Sequence, residues 1–136
     1  IGLYAKRMEM VAVNRGKRGA AISKMLADVK AGEAEPGQLV IYSQGTRVAP
    51  GLSMPYKTGT AALYEQMGQV CVPVATNAGY FWPRRGFYRR PGVAVVAFLE
   101  PIPPGLGRAE FMKKLENVVE TRSDALLDEA GFRAAQ

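Results

Sequence analysis

Three short apolar runs most constrain what this chain can fold into. Leu39-Val40-Ile41-Tyr42 is bounded by turn formers and suits a strand buried on both faces. Val70-Cys71-Val72-Pro73-Val74-Ala75-Thr76 and Val93 to Leu99 read as two further strands. Met8 to Val13 has the composition of a fourth. Pro73 lacks an amide hydrogen, so its strand must lie at an edge, carry a bulge or end there. Helical segments alternate with these runs. Over Ala20 to Lys30, Ile22, Met25, Leu26 and Val29 fall at i, i+3, i+4 and i+7, which is one helix face. Gly59 to Met67 is expected to pack through Ala62, Leu63 and Tyr64, and to end at Gly68. Arg108 to Leu127 carries a stripe of Phe111, Leu115, Val118 and Val119, extended by Leu126. Pro101, Pro103, Pro104 and Gly105 make a rigid connector before it. The predicted order is strand, helix, strand, helix, strand, strand, helix. It implies an α/β fold with a mainly parallel or mixed central sheet flanked by helices. No repeat or boundary interrupts residues 1–136, so one domain is expected, with 105–136 as its C-terminal connector and helix.

Composition narrows the chemistry. The 136 residues include no histidine, which removes imidazole bases and histidine metal ligands. A single cysteine excludes an intrachain disulfide and a multi-cysteine zinc site. Cys71 lies in an apolar run, where an inert buried thiol is expected. One cysteine also suits a reducing compartment. Any catalysis needs carboxylates, lysines, hydroxyls or a cofactor. The net charge of +6 favours anionic partners: phosphates, acidic lipid or nucleic acid. No apolar run approaches a bilayer span, and no signal-peptide pattern is present. The chain opens on Ile1 in mid-pattern, which reads as a fragment or a processed start.

Four constellations could carry function. Gln44-Gly45-Thr46-Arg47 lies just past the run ending at Tyr42, and ligands of open α/β sheets bind beyond strand ends. Gly45 permits close backbone approach, Thr46 offers a hydroxyl, and Arg47 offers a planar fork for phosphate. A turn with a solvated arginine fits the same residues equally well. Arg15, with Lys17 and Arg18, lies between a strand and a helix, where helix N–H groups can meet an anion. A solvated basic turn is the alternative, and there is no Walker sequence. Lys57, just before a helix, is either a third cation at that sheet edge or ordinary surface. Tyr80 to Arg90 interleaves aromatics with arginines. It could stack on single-stranded bases, lie at a membrane interface, or fold back to fill the core edge. Glu100 and the acids of the last helix show no paired spacing and read as solvated.

The order of these pieces resembles the bacterial lysophosphatidate acyltransferases of the glycerolipid acyltransferase family. Tyr42-Ser43-Gln44-Gly45-Thr46-Arg47 stands where that family has Phe-Pro-Glu-Gly-Thr-Arg. Val11-Ala12-Val13-Asn14-Arg15 is similar to a block ending in Asp-Arg. Val70 to Asn77 is similar to its Val-Pro-Val strand, and Pro55-Tyr56-Lys57-Thr58-Gly59 to its Phe-Lys-x-Gly. The resemblance covers roughly residues 8–104. It implies transfer of a fatty acyl group from acyl-CoA or acyl-carrier protein to lysophosphatidate, giving phosphatidate. No cofactor is implied beyond that acyl donor as co-substrate, and no metal. Arg15, Arg47 and Lys57 would hold the acceptor phosphate, and Pro73 would shape the strand near the acyl chain. Gln44, Gly45 and Thr46 complete the motif. The implied partners are lysophosphatidate, the thioester donor and a membrane surface; no nucleic acid is expected. The implied location is the cytoplasmic face of the inner membrane, peripheral or anchored by an N-terminal segment. The Tyr80 to Arg90 loop then leans towards the membrane reading.

The departures are specific. The family's His-x-x-x-x-Asp block, source of its general base, is expected upstream of Arg15 and has no match here. No catalytic residue can therefore be assigned, and the chain as given is expected to be inactive. Gln44, Ser43 and Asn14 replace glutamate, proline and aspartate. A non-catalytic relative that binds anionic lipid or phosphate is the alternative reading.

Overall fold

The computed structural model describes residues 27, 39–83 and 87–132. The chain divides into two compact units, residues 1–40 and 41–136. Of the first unit only Ala27, Leu39 and Val40 are described; Ala27 is helical and exposed. The expected strand at Met8 to Val13, the turn holding Arg15, Lys17 and Arg18, and the rest of the Ala20 to Lys30 helix lie outside the described residues.

Residues 41–136 contain α1 (Gly59–Met67), β1 (Val74–Thr76), α2 (Ala78–Phe81), β2 (Val96–Phe98) and α3 (Arg108–Glu129). Helix α1 is built from good helix formers and stops at Gly68. There the backbone turns left-handed, at φ 58°, and the Gly68 N–H bonds the Tyr64 carbonyl. Its buried face is Thr60, Ala61, Leu63 and Tyr64, so Thr60 and Ala61 are covered where Ala62 was expected.

Strands β1 and β2 pair antiparallel, with Val74 opposite Phe98 and Thr76 opposite Val96. The pairing continues to a bridge between Cys71 and Ile102. The register slips by one residue on the way, leaving an extra residue on the second strand near Glu100 and Pro101. Pro73 sits at this bulge, just before β1, and its carbonyl accepts from the Leu99 N–H at 2.9 Å. Among the described residues this antiparallel pair is the sheet, and no parallel pair occurs. Leu39 to Tyr42 forms no ladder there and is exposed, against the expectation of a buried strand. An apolar run reports a tendency towards burial; only a hydrogen-bonding neighbour makes it a strand.

Helix α3 runs 22 residues and buries Phe111, Leu115, Leu126 and Leu127. It ends two residues later than its stripe suggests. The Phe132 N–H bonds the Leu127 carbonyl and the Gly131 N–H bonds that of Asp128, a Schellman closure with Gly131 at φ 75°. The core joins Ala61, Tyr64, Ile102, Phe111 and Leu115. Tyr64 and Phe111 stack with centroids 3.8 Å apart. The Tyr64 hydroxyl donates to the Pro103 carbonyl and accepts from the Leu106 N–H at 3.2 Å, fixing the proline connector to α1. Asn77 is buried between the strands and α3. Its Nδ2 donates to the Leu126 carbonyl at 3.2 Å, and its Oδ1 accepts from the Val95 N–H at 2.8 Å. Cys71 is half-buried, and desolvation pushes its thiol pKa up, in line with an inert group. No helix among the described residues is long and apolar enough to cross a membrane.

Candidate phosphate-binding site

The Gln44 to Arg47 segment is a tight turn. The Gly45 N–H bonds the Tyr42 carbonyl at 2.8 Å, and Gly45 takes φ 68°. The chain then loops out through Pro50 and Pro55 and returns beside itself. The Lys57 N–H donates to the Ser43 carbonyl at 2.8 Å. This bond places Lys57 over the turn: a Cβ on Gly45 would lie 3.5 Å from Lys57 Cγ. Lys57 and the Gln44 to Arg47 segment, separated in sequence by residues 48–56, thus meet.

Lys57 also immediately precedes the N-cap of α1, Thr58, whose side chain makes no capping bond. No acidic residue stands in the first turn of α1. The start of α1 is thus left without a side-chain cap or a compensating acid. Thr46 and Arg47 lie exposed on the far limb of the turn. Neither Arg47 nor Lys57 pairs with a carboxylate among the described residues. Arg15, the third expected cation, lies outside those residues. Pro73 is buried at the bulge.

Gln44 does not point into solvent. Its Nε2 lies 3.5 Å from Glu120 Oε1 of α3, and the same oxygen accepts the Tyr56 hydroxyl at 2.7 Å. One carboxylate thus holds both limbs of the loop, Gln44 on one side and Tyr56, the neighbour of Lys57, on the other. Tyr56 is half-buried. Desolvation, then its hydrogen bond to Glu120 and the charges of Glu120 and Glu116, hold its phenol pKa well above the usual range. Glu120 reads from sequence as a solvated acid; the structure makes it a positioning group. Its helical spacing sets it off the apolar stripe, and its partners lie 64 and 76 residues away. No sequence signal marks it.

The turn presents a left-handed glycine with the Lys57 side chain beside it, a geometry open to an anion. No group of three or more potential metal ligands exists among the described residues.

No family model matches the chain, and no solved structure matches it. The chain is similar to the 1-acyl-sn-glycerol-3-phosphate acyltransferase of Pseudomonas aeruginosa, with 26% identity over 89 residues. That stretch is 65% of this chain and 35% of the relative, so the match spans about a third of the relative's length.

Proposed function

We propose that this chain carries the acceptor-binding part of an acyltransferase of phospholipid synthesis. In the reaction proposed, the free hydroxyl oxygen of lysophosphatidate attacks the thioester carbonyl of acyl-CoA or acyl-carrier protein. An ester C–O bond forms, the C–S bond breaks, and the hydroxyl proton ends on the released thiol. Arg47 and Lys57 neutralise the acceptor phosphate and fix its orientation; Arg15, which the resemblance implies as a third cation, lies outside the described residues. The observation that carries this reading is the Ser43–Lys57 backbone bond, which sets Lys57 over the Gly45 turn. The named relative supports the transferase class.

The 136 residues hold no histidine, so the step that removes the hydroxyl proton lacks an imidazole base. The chain alone is expected to give only background thiol release from acyl-CoA with lysophosphatidate. It is nevertheless expected to bind lysophosphatidate in a calorimetric titration. Arg47→Ala and Lys57→Ala should each weaken that binding by roughly ten- to a hundredfold, the range for a lost charge-assisted bond. Unchanged binding in both variants would remove the site. Gln44, where the family has glutamate, together with the retained cations favours a second reading, a non-catalytic binder of anionic lipid or phosphate. Acyl transfer by the chain joined to a His-x-x-x-x-Asp segment, and none by the chain alone, separates the enzyme from the binder.

A further inference from the structure

The segment after α2 leaves large aromatic rings in water. Trp82 is 62% exposed, Tyr88 75%, and Phe87 fully exposed. Core-filling describes only their neighbours. Tyr80 and Phe81 are half-buried and meet edge to face at 5.1 Å, and Tyr80 meets Phe132 at 5.5 Å. The guanidinium of Arg89 stands 4.6 Å over the Trp82 ring, and that of Arg90 stands 4.7 Å over Tyr80. The Arg90 N–H donates to the Phe81 carbonyl at 3.1 Å, which fixes where the segment returns. It leads back into β2, whose outward side chains, Val96 and Phe98, are exposed beside Val74.

The surrounding sequence is poor in acid. From Pro36 to Leu99 there is one, Glu65, against six cations. Exposed rings among arginines suit a boundary with an apolar side and an anionic side. Single-stranded nucleic acid fits less well. Its bases stack on ring faces, and a guanidinium already covers one face of Trp82 and one of Tyr80. At a lipid surface those pairs can stay intact while the guanidinium edges meet phosphates.

We propose that Trp82, Phe87, Tyr88, Arg89 and Arg90 form a docking surface for an anionic phospholipid bilayer. The proposal deepens the acyl-transfer reading, on which its biological sense rests, by naming the face turned to the lipid. Its test involves no acyl transfer, so the two readings fail separately.

Trp82 is the one tryptophan of the chain and reports from within the surface. Its emission is followed while the chain is mixed with phosphatidylglycerol–phosphatidylcholine vesicles, phosphatidylcholine vesicles, or single-stranded DNA. A blue shift with the anionic vesicles that weakens with salt is expected. Arg89→Gln and Arg90→Gln should each lower the partition coefficient about fivefold, the equivalent of about 1 kcal/mol per cation at the surface. Phe87→Ser with Tyr88→Ser should lower it tenfold or more. These side chains are exposed, and far-UV circular dichroism checks that the variants keep the fold. No shift with anionic vesicles, partition untouched by all of these substitutions, or a response to DNA alone would each overturn the proposal.

Discussion

At Gly45 the backbone takes φ 68°, and nothing crowds a Cβ there beyond ordinary contact with Lys57. The constraint is conformational, not steric. Gly45→Ala should therefore cost about 1–2 kcal/mol in urea unfolding, and Gly45→Asn less, since asparagine tolerates the left-handed region. Both substitutions keep Lys57 in reach, so phosphate affinity should fall less than in Lys57→Ala. Tyr56 offers a second test at this scale. Its folded-state pKa lies above its unfolded value, near 10, so the folded state holds the phenol proton more tightly. The stability this gives is complete below pH 10 and is lost as pH rises past it. In Tyr56→Phe the unfolding midpoint should fall less steeply above pH 10 than in the unaltered chain. An identical slope would mean that burial and the bond to Glu120 do not hold the Tyr56 proton. The turn at Gly45 was legible in the sequence because its chemistry is local. The Tyr56–Glu120 clamp was not, because it depends on how α3 crosses the loop.

Helices α1 and α3 were readable nearly to the residue, α1 from its apolar residues and the closing Gly68, α3 from its apolar stripe. The strands were readable as apolar runs but not in extent or direction. Val70 to Thr76 supplies only three ladder residues, because Pro73 and the bulge interrupt the pairing. The direction of β2 follows from where the loop after α2 returns. Asn77 escaped notice for the same reason: it joins β1, Val95 and Leu126, three places distant in sequence. Phe111, fully buried and stacked on Tyr64, is the main link between α1 and α3. Phe111→Ala should cost about 3–5 kcal/mol. Asn77→Ala, which leaves the Val95 N–H without its partner, should cost about 1–3 kcal/mol. Chemical denaturation measures both. Equal losses would contradict the ranking, which sets an aromatic core contact above a polar junction.

Across the whole molecule, the basic excess is unevenly placed. Residues 100–136 carry seven acids against five cations, while residues 36–99 carry one acid against six cations. Anion binding is thus expected to follow position and not net charge. Lys113→Gln with Arg122→Gln removes two cations from α3 and should leave lysophosphatidate affinity within about twofold, because Arg122 is already paired with Glu129 and Lys113 is exposed, where salt screens it. A tenfold loss in titration would show that the general field does the work. The bulge beside Pro73 has a consequence of its own for how copies of this chain behave at high concentration. A two-stranded ribbon with valines and a phenylalanine on its outer face invites edge-to-edge growth. A neighbouring strand laid along this one finds three residues in continuous register. It then meets a one-residue slip. The kink that shapes the strand is thereby expected to limit how far the ribbon can template another strand.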